Sequence, residues 1–283
     1  MPELPEVQAI RNQLEKFVVG HEVMDVEVKN KKVAPDDFTP IVGAKFKSIR
    51  RFGKVLVFDF DNGYSTVTHI KLTGQFIYRG PKLVKHPALS KKVSGGVPGG
   101  HTHVIFKLDN KGFLYYNDIR RFGWIKLTKT KDVEEFGFIK KLGPEPFGKL
   151  DLKTFKEILG KTKRQVKVVL MDQSKMGGVG NIYANDALWD AKVHPGRAAN
   201  SLSLSEQTQL FKSIEKVLKK GIEAGGASEL AFVTPDGGEG SYQKYFLAYG
   251  KQGALCTRCK KDRFKKIALG GRGTYYCPHC QKI

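Results

Sequence analysis

Cys256-Thr257-Arg258-Cys259 and Cys277-Pro278-His279-Cys280 decide how the end of this chain folds, because they contain all four of its cysteines. Two Cys-x-x-Cys pairs at this separation are a strong pattern for one tetrahedral zinc ion held by four thiolates. The alternative is a pair of disulfides in a secreted protein. It is disfavoured because no signal-peptide pattern is present and pairs this close are difficult to bridge across such a module. The sequence therefore predicts one structural zinc.

The charge of the chain indicates the kind of partner it binds. Lys and Arg number 49 against 28 Asp and Glu, which gives a formal net charge of +21. So large an excess favours binding to a polyanion, with an affinity that falls as salt rises. The zinc module shares this basic character, which favours nucleic acid, although many zinc ribbons bind only protein. Its cations are Arg258, Lys260, Lys261, Arg263, Lys265, Lys266 and Arg272.

Length and composition set the broad class. A chain of 283 residues with 40% hydrophobic residues is large enough for two domains in addition to the zinc module. It has no apolar run long enough to span a bilayer, so no membrane span is expected. Cysteines reserved for a metal fit a reducing cytoplasm, which is the expected location.

The N-terminal region, residues 1–131, is predicted to combine one helix with many short strands. Apolar residues recur at helical spacing over residues 5–19, and Pro5 suits the first turn of a helix. Strand patterns follow at 23–28, 55–60, 66–70, 103–108, 113–116 and 124–127, with a hairpin signal at 109–112. Repeated short strands at this spacing indicate a β-sandwich or a barrel.

The chain changes character after a linker at 132–150, which contains Gly143-Pro144-Glu145-Pro146. A helical domain is predicted over 151–245 and the zinc finger over 246–283. In the helical domain, Asp151 is expected to cap the first helix. Two further helices are expected over 163–171 and 181–191, and a fourth is expected to begin at Ser203 with a capping box. Three glycines precede Asn181, and the amides that open the next helix could bind a phosphate. Such a turn is weak evidence by itself.

The extreme N-terminus, Met1-Pro2-Glu3-Leu4-Pro5-Glu6, carries candidate chemistry. Removal of Met1 would expose the secondary amine of Pro2 beside two carboxylates. A neutral amine can attack an electrophilic sugar carbon and form an iminium, and Glu3 could act as the acid and base. From these residues alone, an ordinary helix cap with prolines is the stronger interpretation.

Five motifs in order resemble the formamidopyrimidine-DNA glycosylase and endonuclease VIII family over the whole chain. They are Pro2-Glu3-Leu4-Pro5-Glu6-Val7, Asp118-Ile119-Arg120-Arg121-Phe122-Gly123, Leu142-Gly143-Pro144-Glu145-Pro146, Gly178-Val179-Gly180-Asn181-Ile182-Tyr183-Ala184 and the four cysteines. The resemblance implies an α+β multidomain fold. Its parts would be an N-terminal β-sandwich with an N-terminal helix, a helix–two-turns–helix domain and a C-terminal β-hairpin zinc finger.

The resemblance also implies roles for single residues. Pro2, once Met1 is lost, would be the nucleophile, Glu3 would shuttle protons, and Glu6 would order their site. Phosphate contacts would come from Lys54, His69, Asn181 and Arg272, and Lys54 and Arg272 would be catalytic residues together with Pro2 and Glu3. Without the resemblance, Lys54, His69 and Arg272 are more simply a strand-end lysine, a satisfied strand histidine and a solvated arginine.

Three side chains of this family fill the gap that an extruded base leaves in the duplex. Arg120 and Phe122 match two of them, and Leu72 stands where methionine is usual. Leucine keeps the apolar volume with less flexibility, so function should be retained. Ile119 replaces a proline, and Asp186 stands where glutamate is frequent; neither is expected to touch the chemistry.

The implied activity is that of a bifunctional DNA glycosylase and abasic-site lyase of base excision repair. It would act as a monomer on duplex DNA with damaged bases or abasic sites. Leu4 and the glycine-rich segment 232–242, which resembles a lid over an extruded base, favour oxidised purines such as 8-oxoguanine and formamidopyrimidines. The alternatives are an oxidised-pyrimidine glycosylase of the endonuclease VIII type and a non-catalytic protein that binds damaged DNA.

Overall fold

A computed structural model of the chain describes residues 1–83, 88–93 and 95–283. The fold divides into two compact units. The first contains residues 1–140 and 221–243, and the second contains residues 141–220 and 244–283. Each unit is therefore built from two separate stretches of the chain.

The first unit begins with helix α1, Leu4–Val18. Its apolar stripe is buried as the sequence predicts: Val7, Ile10, Leu14 and Val18 are at most 1% exposed. Arg11 on the same helix donates from Nε to the carbonyl oxygen of Ile49 at 2.9 Å. The helix is thus fixed to the neighbouring sheet by an apolar stripe and by a polar contact.

Two four-stranded antiparallel sheets follow, which confirms the β-sandwich. One has the strand order β1-β6-β7-β5 and the other β2-β3-β4-β8. Phenylalanines from both sheets, including Phe46, Phe58, Phe76 and Phe106, pack together in the core. The strands are β1 Val23–Val28, β2 Phe46–Phe52, β3 Val55–Phe60, β4 Tyr64–His69, β5 Gly74–Arg79, β6 Thr102–Leu108, β7 Phe113–Asp118 and β8 Trp124–Lys129.

Strand register places two connections side by side. Gly74 at the start of β5 pairs with Asp118 at the end of β7. His69 at the end of β4 pairs with Trp124 at the start of β8. The segment 70–73 therefore connects β4 to β5, and the segment 119–123 connects β7 to β8. Both cross from one sheet to the other, and the strand pairing brings their ends together.

The second unit contains helices α2 Leu152–Gly160, α3 Val166–Leu170 and α4 Asn181–Asp190, and most of α5 Leu204–Glu223. Asp151 caps α2 by accepting from the amide of Thr154 at 2.7 Å, as expected. The capping box of α5 is also confirmed, because Ser203 N donates to Glu206 Oε2 at 2.8 Å and Glu206 N to Ser203 Oγ at 3.2 Å. Short 3-10 turns lie at Thr39–Ile41, Thr130–Asp132, Ala199–Ser201 and Tyr242–Tyr245.

The predicted helix over 163–171 is too long at its start. Gln165 forms a β-bridge with Ala198, and Val166 N donates to the carbonyl oxygen of Arg197 at 2.8 Å. Residues before Val166 are thus held extended by a distant segment, which is a tertiary contact that helical periodicity does not encode.

The four predicted segments remain a prediction, and the two compact units divide the chain differently. Residues 221–243, placed by the sequence in the helical domain, pack with the first unit. Glu6 accepts from the amide of Ala227 at 2.7 Å, Gln75 Nε2 donates to the carbonyl oxygen of Ala231 at 2.6 Å, and Tyr78 N donates to that of Pro235 at 2.7 Å.

The zinc finger contributes a hairpin to the second unit, with strands β9 Lys265–Leu269 and β10 Arg272–Tyr276. Trp189 of α4 packs with Ala248, Cys256, Phe264 and Cys277 in one buried cluster. Among the described residues, no helix combines the length and apolar character that a bilayer span requires.

Candidate functional site

The start of α1 is organised by the carboxylate of Glu6, which is 1% exposed. Its Oε2 accepts from the backbone amide of Glu3 at 2.7 Å, and its Oε1 accepts from the amide of Ala227 at 2.7 Å. Pro2 and Glu3 are buried with it. One carboxylate thus fixes the backbone of the predicted acid–base residue and joins it to a distant turn.

That distant turn requires glycine. Gly226 has φ +84°, and a Cβ placed there would lie 2.8 Å from Glu6 Cγ. A side chain at this position would both strain the backbone and push Glu6 away. The sequence analysis did not single out this turn, although the pair Gly225-Gly226 was a visible signal for it.

Lys54 lies in the tight turn between β2 and β3 and is 4% exposed. The turn is held by Arg51, whose Nη1 donates to the carbonyl oxygen of Gly53 at 2.9 Å. Arg51 Nε also donates to Gln8 Oε1 of α1 at 2.8 Å. Through this arginine, the turn that carries Lys54 is anchored to the second turn of the N-terminal helix.

His69 ends the neighbouring strand β4 and is 4% exposed. Burial, with the nearby positive charges of Lys71 and Lys54, lowers the pKa of His69 to about 3. Its Nδ1 accepts from the amide of Lys71 at 3.0 Å, so the neutral ring carries its proton on Nε2. His69 can therefore offer a neutral N–H donor, which is suited to an anionic oxygen.

The three predicted gap-filling side chains differ in exposure. Phe122 is 50% exposed, Arg120 is exposed, and Leu72 is half-buried. The Arg120 guanidinium lies 4.7 Å from the centre of the Phe122 ring. The exposed ring and the guanidinium therefore contact each other at the surface, where both are accessible to a ligand.

In the second unit, Asn181 is the first residue of α4 and is partly exposed. Gly178 before it has φ +94° and donates its amide to Gln173 Oε1 at 3.0 Å. Gln173 Nε2 donates in return to the carbonyl oxygen of Val179 at 2.8 Å. Gln173, which the sequence analysis missed, thus shapes the glycine turn that presents the amide end of α4.

The backbone of the Gly143-Pro144 motif is hydrogen-bonded to the same turn. Gly143 N donates to the carbonyl oxygen of Gln173 at 2.8 Å, and Gly177 N donates to that of Pro144 at 3.2 Å. A Cβ on Gly143 would lie 2.6 Å from the backbone carbon of Lys175. The motif therefore backs the predicted phosphate clamp.

Arg272 is exposed at the start of β10, directly after the hairpin turn Gly270-Gly271. Two buried side chains of the helical segment hold this strand. Lys167, 0% exposed, donates from Nζ to Thr274 Oγ1 at 2.7 Å and to the carbonyl oxygen of Gly273 at 3.0 Å. Asn185 Oδ1 accepts from the amide of Tyr275 at 2.7 Å. The sequence analysis found neither Lys167 nor Asn185, because nothing in their spacing marks them.

Asp186, noted from the sequence as a departure from glutamate, is buried and bonded. Its Oδ1 accepts from the amides of Ala248 and Tyr249 at 2.8 and 2.9 Å. The shorter side chain thus joins α4 to the segment leading into the zinc module.

The four cysteine sulfurs converge as predicted, with all Sγ atoms within 4.8 Å of one another. Cys256 Sγ lies 3.8 Å from Cys280 Sγ, and Cys259 Sγ lies 3.7 Å from Cys277 Sγ. Tetrahedral zinc with Zn–S bonds of about 2.3 Å needs sulfurs about 3.8 Å apart. Both distances are far longer than a disulfide bond of about 2.05 Å. The residues fit one structural zinc.

The four thiols lie close enough to shift one another's pKa values. Burial and the neighbouring thiols Cys259, Cys277 and Cys256 raise the pKa of Cys280 to about 12, whereas amides from Cys259 and Arg258 outweigh burial and lower that of Cys256 to about 6. Four thiolates this close repel one another, and a divalent cation removes that repulsion.

Each unit holds its own share of the predicted residues. The first contains Pro2, Glu3, Glu6, Lys54, His69, Leu72, Arg120 and Phe122, and the second contains Asn181, Arg272 and the zinc ligands.

Three family models match consecutive parts of the chain. They are the formamidopyrimidine-DNA glycosylase N-terminal domain over residues 1–125, the H2TH domain of the same enzymes over 142–232, and a zinc finger found in FPG and IleRS over 253–283. Together they cover most of the sequence in the order that the motifs indicate.

Curated relatives and solved structures agree with these matches. The formamidopyrimidine-DNA glycosylase of Listeria innocua is 37% identical, with 100% of both chains covered, and that of Desulforamulus reducens is 39% identical, with 100% of this chain and 99% of the relative covered. A Lactococcus lactis FPG mutant bound to Fapy-dG containing DNA superimposes with a TM-score of 0.86 at 33% identity over 100% of both chains. The wild-type Lactococcus lactis protein with DNA containing an oxidized pyrimidine gives 0.85 at 34% identity, again over 100% of both chains.

Proposed function

The chain belongs to the formamidopyrimidine-DNA glycosylase family, and from that membership we propose that it removes oxidised purines from duplex DNA and then cleaves the strand. The observation that carries the proposal is the buried N-terminal cluster, in which Glu6 fixes the backbone of Glu3 beside Pro2. Family membership makes the protein a base excision repair glycosylase that contains one structural zinc.

We propose Pro2 as the nucleophile once Met1 has been removed. Its secondary amine attacks C1′ of the damaged nucleotide, and the base departs with the electrons of the N-glycosidic bond and takes up the proton that the Pro2 nitrogen loses. Glu3 gives a proton to the sugar ring oxygen as the ring opens, which leaves an iminium between C1′ and Pro2. The iminium accepts electrons when C2′ loses a proton, so the 3′ phosphate leaves by β-elimination. A δ-elimination then expels the 5′ phosphate.

The remaining residues act by binding the DNA, and Lys54 and Arg272 are proposed catalytic residues because they would hold phosphates beside the reacting nucleotide. Lys54 and His69 in the first unit, and Asn181 and Arg272 in the second, are proposed phosphate ligands. Lys54 and Arg272 supply fixed positive charge, His69 a neutral N–H and Asn181 the amide end of a helix. Leu72, Arg120 and Phe122 are proposed to occupy the space left by the extruded base. The zinc holds the hairpin that carries Arg272.

The choice of lesion is a proposal that rests on two features. Leu4 is fully buried in the first turn of α1, where the endonuclease VIII branch usually has glycine. The segment 232–242 folds against the sandwich, with Arg79 Nη1 donating to the carbonyl oxygen of Asp236 at 2.9 Å and Lys92 paired with Glu239 at 2.6 Å. Oxidised pyrimidines are the second candidate, because a Lactococcus lactis relative has been solved with such a DNA.

The reaction is tested by borohydride trapping on a duplex that contains 8-oxoguanine opposite cytosine. Protein with a free Pro2 amine should form a stable protein–DNA adduct, because borohydride reduces only the iminium. Protein that retains Met1 has an amide at Pro2 and should bind the duplex without cross-linking or cleaving it. Full cleavage by Met1-blocked protein would refute the mechanism, and absence of any adduct from the processed protein would favour a non-catalytic binder.

A matched pair of variants separates the role of Glu3 from a general effect on α1. Glu3→Gln keeps the shape of the side chain and removes the proton, so excision should be lost while DNA binding remains. Glu15 lies on the same helix in a partly exposed pair with Arg11, away from Glu3, so Glu15→Gln should excise normally. Rates on thymine glycol and 8-oxoguanine duplexes then rank the two lesion classes.

We further propose a cytoplasmic location and action as a monomer. Cysteines that hold a metal fit a reducing compartment.

A further inference from the structure

The segments 70–73 and 119–123, named here the two crossover loops, are held in an unusual conformation. Each crosses between the two sheets, and each contains a non-glycine residue with positive φ, Lys71 at +52° and Arg121 at +54°. Such backbone is strained and persists only where its surroundings fix it. The crossover loops carry Leu72 on one side and Arg120 and Phe122 on the other.

One buried carboxylate bonds to both crossover loops. Asp118, 0% exposed, accepts through Oδ1 from the Thr73 hydroxyl and from the amide of Arg120 at 3.1 Å. Its Oδ2 accepts from the amide of Gly123 at 2.8 Å. Thr73 Oγ1 also lies 3.2 Å from the amide of Arg120. Thr73 is thus the link by which the first loop joins a network that otherwise belongs to the second.

Gly74, which directly follows the first crossover loop, and Gly123, which ends the second, both lie against Tyr116. A Cβ on Gly74 would lie 2.4 Å from the hydroxyl oxygen of Tyr116, and a Cβ on Gly123 would lie 1.9 Å from the same atom. Both loops therefore meet the strands over one buried ring, at positions where no side chain fits. Movement of one loop would disturb the packing of the other.

We propose that Thr73 and Asp118 are positioning residues that join the crossover loops into one rigid wedge, so that Leu72 and Phe122 enter the base stack together. This inference rests on the proposed function. Extruding a base costs a few kcal/mol, and side chains held in advance lose less freedom when they insert. A hydroxyl–carboxylate bond in a buried network is a strong way to couple two loops.

The test is a double-mutant cycle of Leu72→Ala and Phe122→Ala, measured as single-turnover excision of 8-oxoguanine from a paired duplex. In the otherwise unchanged protein the two losses should be non-additive by about two- to tenfold, because each side chain depends on the other. In a Thr73→Val background the same two losses should become additive. Persistence of the coupling in Thr73→Val, or additivity in the original protein, overturns the proposal.

Two further variants show that the lost hydroxyl is the cause. Thr73→Ser keeps the hydrogen bond to Asp118 and should restore the coupling. Thr68→Val is the matched control: Thr68 is buried on β4, and its hydroxyl has no hydrogen-bond partner within the described residues. This variant should excise at the original rate and leave the cycle unchanged. Loss of the coupling in Thr68→Val as well would assign the effect to a general loosening of the sandwich and overturn the role of Thr73.

Cleavage at a pre-formed abasic site separates this inference from the proposed function. That substrate requires little unstacking, so Thr73→Val should reduce its cleavage far less than base excision. If the unsubstituted protein neither cleaves abasic DNA nor forms a borohydride adduct, the proposed function fails. If it does both while the cycle is additive, only the coupled wedge fails.

Discussion

At the scale of single residues, His69 shows how its surroundings fix one protonation state. It stays neutral because burial and the cations Lys71 and Lys54 lower its pKa to about 3. The unfolded chain has a histidine pKa of about 6.5 and binds more protons than the folded chain below that pH. The contribution of His69 to stability is therefore complete above about pH 6.5 and is lost as pH falls toward about 3.

This linkage gives a testable result for the free protein. The urea midpoint of the original protein should fall between about pH 7.5 and about pH 5, and part of that fall should vanish in His69→Asn, which has no proton to bind. The matched control is His279→Asn, since His279 is exposed in the zinc module. Identical pH slopes for the original protein and His69→Asn would contradict the lowered pKa.

The sequence predicted the residues whose types and spacing form a recognisable chemical pattern. It did not predict the residues whose hydrogen bonds only position those functional groups. The four cysteines are predictable because thiolate spacing follows from zinc geometry. Lys167 and Asn185 bond to the distant strand β10, whereas the side chain of Gln173 bonds to backbone atoms of its own glycine turn. The partners of Lys167 and Asn185 are set by the tertiary fold and those of Gln173 by the conformation of its turn, so no spacing in the sequence predicts them. The roles of Pro2 and Glu3 could be predicted only from the family resemblance, because an ordinary helix cap explains the same N-terminal residues.

At the scale of elements, the sequence predicted six of the eight strands of the sandwich and missed β2 and β5, although β5 is buried at five of its six positions. Strand β3 is buried at every position and was found, whereas β2 alternates with Lys47, Arg50 and Arg51 and was missed. Arg50 lies in a sheet because Asp59 on β3 accepts from its Nε at 2.7 Å. Cross-strand ion pairing of this kind stabilises a strand whose own sequence reads as polar.

The crossover loops are proposed to offset the free-energy cost of extruding a base, whereas the glycine turn before Asn181 is proposed to bind phosphate. A pair of substrates can separate these two contributions. Phe122→Ala should lower excision from a paired lesion by about tenfold or more while reducing abasic-site cleavage far less, because only the first needs a base to be unstacked. Asn181→Ala should weaken binding to damaged and undamaged duplex alike. The measurement is the ratio of single-turnover rates on the two substrates. Equal losses for Phe122→Ala would make Phe122 a structural aromatic residue.

The zinc module can be followed through Trp189, which packs against Cys256, Cys277 and Phe264. The chain has only two tryptophans, so a Trp124→Phe variant leaves Trp189 as the single reporter. Chelation should unfold the module, expose Trp189 and shift its emission to longer wavelength, with loss of DNA binding. About one zinc per chain should restore both signals. An unchanged emission and affinity after metal removal would contradict a structural zinc.

At the scale of the whole molecule, the net charge of +21 governs how the protein meets any duplex. Each phosphate neutralised by a cation releases counterions, so affinity falls steeply with salt for damaged and undamaged DNA alike. The gain in affinity from a lesion comes from an easier extrusion and releases no further counterions. We therefore expect the ratio of the two affinities to stay nearly constant as salt rises.

Two variants with proposed phosphate contacts test this division. Lys54→Ala removes a charge and should reduce the slope of log affinity against log salt by about 1, whereas Asn181→Ala should weaken binding with its slope unchanged. Titrations of a lesion duplex and its undamaged counterpart at several salt concentrations provide both slopes for each variant. If the ratio of the two affinities changes steeply with salt, lesion recognition itself depends on released counterions, and the division between charge and wedge does not hold. If Asn181→Ala alters the slope as much as Lys54→Ala, the contact proposed for Asn181 is not a neutral one.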